Sequence, residues 1–136
     1  MPPPVRPTDI FPPRRIALEQ QFTVLERDPV IAQDISETIL ELHQDPRIVL
    51  ATTVPETCDA IMGQADNGGY AILNLTSDQM QDQRLIEVLR GRQVRTIVLH
   101  QPLTETPHAD WTFLPPPFST AQLQFALRQA AQAPTE

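Results

Sequence analysis

The sequence predicts an α/β domain in which helices cover both faces of a five-stranded parallel sheet. Three observations point there. Short runs rich in β-branched residues alternate with longer stretches of helical period, the order that βα units produce. The middle runs are apolar throughout, as a strand covered on both faces demands. Residues that start and stop helices stand at the junctions.

The expected strands are Phe22 to Leu25, Arg47 to Ala51, Tyr70 to Leu75, Arg95 to His100 and Trp111 to Leu114. Asp28 followed by Pro29 is an N-cap with a first-turn proline, and Ile31, Ile35, Ile39 and Leu42 then form the expected inward face of the first helix. Thr53 and Glu56 make a capping box for a second helix that carries Cys58, with Ala60, Ile61 and Ala65 inward, before the Gly68-Gly69 break. A third helix is expected from Ser77 to Arg90, with Leu85, Ile86 and Leu89 inward and Gly91 as its stop. The last begins at Ser119, boxed by Gln122, and places Leu123, Ala126, Leu127 and Ala130 on one side. Between the fourth and fifth strands lies only "QPLTETPHAD", whose two prolines and lack of an apolar period predict a loop.

Composition bounds the rest. The 136 residues are 40% hydrophobic, enough for the core of one domain and too few for a second. Any output is therefore expected from another chain. Residues 1–20, rich in proline, are expected to form a flexible tail or, as the alternative, a ligand for a proline-binding groove. Residues 21–131 form the domain and 132–136 a short C-terminal tail. A formal charge of −7, with all ten cations arginine, argues against nucleic acid and anionic membrane as partners. No apolar run approaches the roughly 20 residues of a membrane span, no secretory signal is visible, and Cys58 has no cysteine partner. A cytoplasmic setting is expected.

An open parallel sheet binds ligands beyond the carboxyl ends of its strands. The residues there are Glu26, Arg27 and Asp28 after the first strand, Asn74 with Thr76, Ser77 and Asp78 at the third, His100 at the fourth, and Pro115 to Pro117 after the fifth. The "NLT" at Asn74 matches a glycosylation sequon, but in a buried strand it reads as chance.

In order and spacing, "TVLERDPVIAQDI", "AILNLTSD", "TIVLH" and "FLPPPFSTAQL" resemble the receiver domains of bacterial two-component response regulators, over roughly residues 22–129. The resemblance implies a flavodoxin-like, CheY-like doubly wound sheet of order 2-1-3-4-5. The segment after the fourth strand is similar to that of stand-alone receivers whose fourth helix is reduced or missing.

The family's chemistry meets different residues here. Acyl-phosphate formation needs a nucleophilic carboxylate, Mg²⁺ held by oxygens, and a cation and a hydroxyl to grip the product. By resemblance the acidic pair is Glu26 and Arg27, the phosphoacceptor position is Asn74, the hydroxyl position is His100 and the lysine position is Pro116. A guanidinium, a neutral amide, an imidazole and a proline replace what the reaction uses. Arg27 is expected to form an ion pair with Glu26 and Asp28, bridged by Asn74, in place of the cation; unconstrained drift is the plainer alternative. Phe113 stands at the family's switch-aromatic position and reads more simply as core. With His43 on a helix and His108 in a loop, His100 is read as a hydrogen-bonding residue and not a metal ligand.

The function expected is therefore a non-catalytic, phosphorylation-independent receiver-like adaptor that binds another signalling protein or a second copy of itself. Gln122, Phe125 and Gln129 on the last helix are the candidate interface, and no metal or cofactor is expected. Two alternatives stand beside it. One is a small-molecule module using the strand-end crevice, although "ERDPV" is unlike a flavin phosphate loop. The other is an atypical phosphoacceptor using Asp78 or Asp28.

Overall fold

The computed structural model describes residues 20–102 and 111–132, with only the backbone of Gln132. Five parallel strands run in the order β2-β1-β3-β4-β5: β1 (Gln21–Leu25), β2 (Arg47–Ala51), β3 (Tyr70–Leu73), β4 (Arg95–Val98) and β5 (Thr112–Phe113). Among the described residues the α-helices are α1 (Pro29–Leu42), α2 (Val54–Met62), α3 (Gln83–Gly91) and α4 (Thr120–Gln132). This is the expected CheY-like α/β architecture.

Strand alternation divides the core into two layers. Phe22, Val24, Tyr70, Ile72 and Ile97 pack against Ile35 and Ile39 of α1 and Leu123 and Leu127 of α4. Leu25, Ala71, Leu73 and Val98 pack against Cys58 and Ile61 of α2 and Leu85 and Leu89 of α3. Each such Leu or Ile, once buried, contributes about 1.5–3 kcal/mol from apolar area alone. The central β3 is buried along its whole length, whereas β2, an edge strand, leaves Leu50 58% exposed.

The caps form as the sequence expects. Asp28 accepts the Val30 N–H at 2.9 Å, Thr53 Oγ1 accepts the Glu56 N–H at 3.2 Å while the Glu56 carboxylate reaches one residue past the box to the Thr52 N–H at 2.9 Å, and Ser119 and Gln122 exchange bonds of 3.1 and 2.7 Å. Several boundaries differ. The third helix is broken: Gln79–Gln81 form a 3₁₀ turn, and α3 starts afresh at Asp82, whose carboxylate accepts the Leu85 N–H at 2.9 Å. A good N-cap inside the expected span thus competes with continuing the helix. Gly91 remains helical, and Gln93 takes the left-handed position at φ 57°. There its N–H reaches the Arg90 carbonyl and the Val94 N–H reaches the Leu89 carbonyl, the paired closure of a Schellman end.

Ala65 lies past the end of α2 and is exposed; Ile31 is 36% exposed because Ala32, Ile35, Thr38 and Ile39 form the inward stripe. β3 and β4 stop two residues short of Leu75 and His100, although Leu75 is still buried. β5 is only two residues long, but the Leu114 N–H still donates to the Val98 carbonyl at 2.9 Å. Gln101 and Pro102 are irregular as expected; the remainder of that loop, 103–110, and the tails apart from Gln20 and the Gln132 backbone lie outside the described residues.

Candidate functional site

Parallel pairing brings the ends of β1 and β3 side by side, with Leu25 opposite Leu73. One residue further on, the Glu26 N–H donates to the Ala51 carbonyl at 3.1 Å and the Asn74 N–H to the Leu25 carbonyl at 2.9 Å, so both side chains leave the sheet from fixed backbone. They meet. Asn74 Nδ2 donates to Glu26 Oε1 at 3.0 Å, and the Asp28 N–H donates to Glu26 Oε2 at 3.1 Å. Glu26 is only 7% exposed, so its carboxylate gives up much of its water and takes these donors in exchange.

The expected ion pair does not form: Arg27 is exposed and pairs with no acid among the described residues. Its position on the outward turn after β1 sends a long, well-hydrated side chain to solvent. Asn74 therefore bonds Glu26 alone, and Asp28 spends its carboxylate on the N-cap of α1. Asp78 is exposed at the 3₁₀ turn and makes no side-chain cap bond.

His100 lies half-buried just beyond β4, its Nδ1 2.8 Å from the Gln101 carbonyl. Pro116 is exposed and joined to Pro117 by a cis peptide. Phe113 is half-buried against the α2–α3 layer, with its ring tilted 47° to Trp111 at 6.4 Å between centroids. On α4, Phe125 is 61% exposed and Gln122 and Gln129 are also exposed, but the Gln122 amide oxygen already caps Ser119.

The order and register can be set beside known proteins. No protein-family model and no curated protein matches the sequence. The crystal structure of a response regulator receiver domain protein from Bacillus halodurans matches with a TM-score of 0.61 at 16% identity, over 82% of this chain and 97% of that one. The chain has a receiver fold. At the carboxyl ends of its sheet, Glu26 and Asn74 form the polar contact described above.

The donor set does not fit a divalent cation. Among the described residues no three His, Cys, Asp or Glu side chains are grouped to hold a metal ion. Both Glu26 oxygens already accept hydrogen bonds, Oε1 from the NH₂ of Asn74 and Oε2 from the Asp28 N–H. A hard cation such as Mg²⁺ demands oxygens instead.

One cavity has no counterpart among the features expected from the sequence. It opens at the opposite, amino-terminal ends of the strands, lined among others by Gln20, Gln64, Gly69, Arg47 and Arg95. The Gly68-Gly69 pair and the arginines opening β2 and β4 were the available signals. They are dispersed along the chain, and only the parallel register gathers them.

Proposed function

We propose that this domain is a non-catalytic receiver-like signalling module that works by protein–protein contact without phosphorylation. The observation that carries the reading is the Glu26–Asn74 hydrogen bond at the strand ends. A neutral amide there is a poor nucleophile, and it occupies one oxygen of the neighbouring carboxylate. Proline at position 116 offers no cation for a phosphoryl product. The two nearby aspartates are weak replacements: Asp28 is committed to a cap, and Asp78 lies exposed at the turn beyond β3.

Contact with a partner, a second copy included, is assigned to the solvent side of α4, where Phe125 stands exposed. An aromatic beside amide side chains suits an interface that is made and released. The described helices contain none long and apolar enough to cross a membrane, which accords with a module acting in the cytoplasm.

Two measurements test this. Incubation with a small-molecule phosphodonor and Mg²⁺, followed by intact mass, is expected to show no added phosphoryl group; a stable adduct lost on Asp78→Asn would overturn the phosphorylation-independent reading. Light scattering of the protein and its Phe125→Asp variant, with circular dichroism to confirm folding, tests the contact surface. Self-association that the substitution leaves unchanged removes α4 as the interface between copies.

A further inference from the structure

The cavity at the amino-terminal ends of the strands has a volume of about 610 Å³, within the range of small-molecule sites. It lies at the end of the sheet opposite the receiver crevice. Its lip is preformed. Gln64 Nε2 donates to the carbonyls of Asp66 and Gly68, both at 2.9 Å. The Gly68 N–H donates to the Arg92 carbonyl at 2.7 Å, and Arg92 in turn donates to the Gln64 carbonyl. Gly69 has φ +80°, and a Cβ there would stand 2.8 Å from the Gln21 carbonyl oxygen, so this edge admits only glycine.

The polar groups around it are unusual. Among the described residues three buried side-chain atoms have no hydrogen-bond partner: Arg95 Nε, Gln20 Oε1 and Arg92 Nε. Native structures leave few such atoms unpaired. The first two belong to residues lining this cavity, and the third to the residue that holds its lip. Arg95, the first residue of β4, stands opposite Tyr70 in register and carries its guanidinium 5.7 Å from the centre of that ring. Arg47 adds a second guanidinium-bearing residue, and Asp45 and Asp66 also line the cavity. Residues of both charges thus share one cleft.

We propose that this cavity binds a small amino or hydroxy acid. Its carboxylate pairs with Arg95, within the field of Arg47, and its amine or hydroxyl is drawn to Asp45 and Asp66. A bare anion gains less, because the two aspartates repel it. This assignment is independent of the strand-end chemistry and of the α4 contact.

The test titrates the full ¹⁵N-labelled chain with L-alanine, L-lactate and, as the anion without a second donor, acetate, at constant ionic strength. Saturable shifts of the Gly68 and Gly69 amides and of the Arg95 Nε–H are expected over the millimolar range, with acetate at least about tenfold weaker. Whether alanine or lactate binds tells an amine from a hydroxyl ligand. Arg95→Gln is expected to weaken binding at least about tenfold. Arg47→Gln, at an exposed strand start, is expected to weaken it less and serves if Arg95→Gln fails to fold; Arg90→Gln is expected to leave it unchanged. The proposal is overturned if neither acid saturates, if acetate matches them, or if Arg95→Gln and Arg47→Gln bind as the parent does.

Discussion

Replacing Asn74 with aspartate sets a second carboxylate beside Glu26 and removes the amide that now serves it. The structure sets the size of the effect. The 3.0 Å bond from Asn74 Nδ2 to Glu26 Oε1 is a donation to a charged acceptor, which contributes about 1.5–3 kcal/mol. Two carboxylates at that separation repel by about 5 kcal/mol at an effective dielectric near 20, and by about 1.4 kcal/mol in water. Asn74 is half-buried at an open strand end, so side-chain rotation and solvent bring the repulsion toward the lower figure. A net destabilisation of about 2–4 kcal/mol at neutral pH is expected, a fall in Tm of very roughly 10 °C for a chain of this size. Urea titrations of the parent and Asn74→Asp, run from neutral pH down to mild acid, measure it. The deficit should shrink as the introduced carboxyl takes up a proton, because it then becomes a donor again. A loss below about 0.5 kcal/mol, or one that stays constant with pH, would refute the role given to this hydrogen bond.

Three further outcomes follow from the packing and backbone. Ile72→Ala, in the fully buried central strand, should cost about 2–5 kcal/mol in urea, whereas Leu50→Ala on the exposed edge should stay within about 0.5 kcal/mol. Gly69→Ala should destabilise more than Gly68→Ala in the same assay, because both have positive φ but only Gly69 lacks room for a Cβ. Burial holds the His43 imidazole below its ordinary value of 6.5. The folded state thus binds a proton less readily than the unfolded chain, and the stability from keeping His43 neutral is present above pH 6.5 and lost as pH falls through the depressed value. Thermal melts should show His43→Gln with a flatter decline below pH 6.5 than the parent; identical slopes would remove His43 from the acid response.

Much of the fold could be read from the chain because its signals are local. Asp28-Pro29, Thr53 with Glu56 and Ser119 with Gln122 each mark a helix start within a few residues, and the all-apolar run at β3 marks a strand covered on both sides. Failures came where two local signals compete or where a third dimension decides. Asp82 outcompetes a continuous helix from Ser77, and Gln93 takes the turn expected of Gly91. Ile31 falls outside the buried stripe by one residue of helical rotation. For the site, the sequence placed Glu26 and Asn74 at neighbouring strand ends, and their contact follows from register. It did not reveal that Arg27 points to solvent, since the direction of a long side chain on a turn is not encoded in spacing.

The Glu26–Asn74 contact joins residues 48 positions apart. It can close only after β3 has docked beside β1 in the native alignment, since a one-residue shift of β3 along β1 would set a leucine in place of Asn74 and leave Glu26 Oε1 without its donor. That bond therefore acts as a latch on strand alignment, set only once the long loop between the two strands has closed. Weakening it should let β3 leave its native alignment more readily, so two side chains at the strand ends guard the register of the whole central sheet.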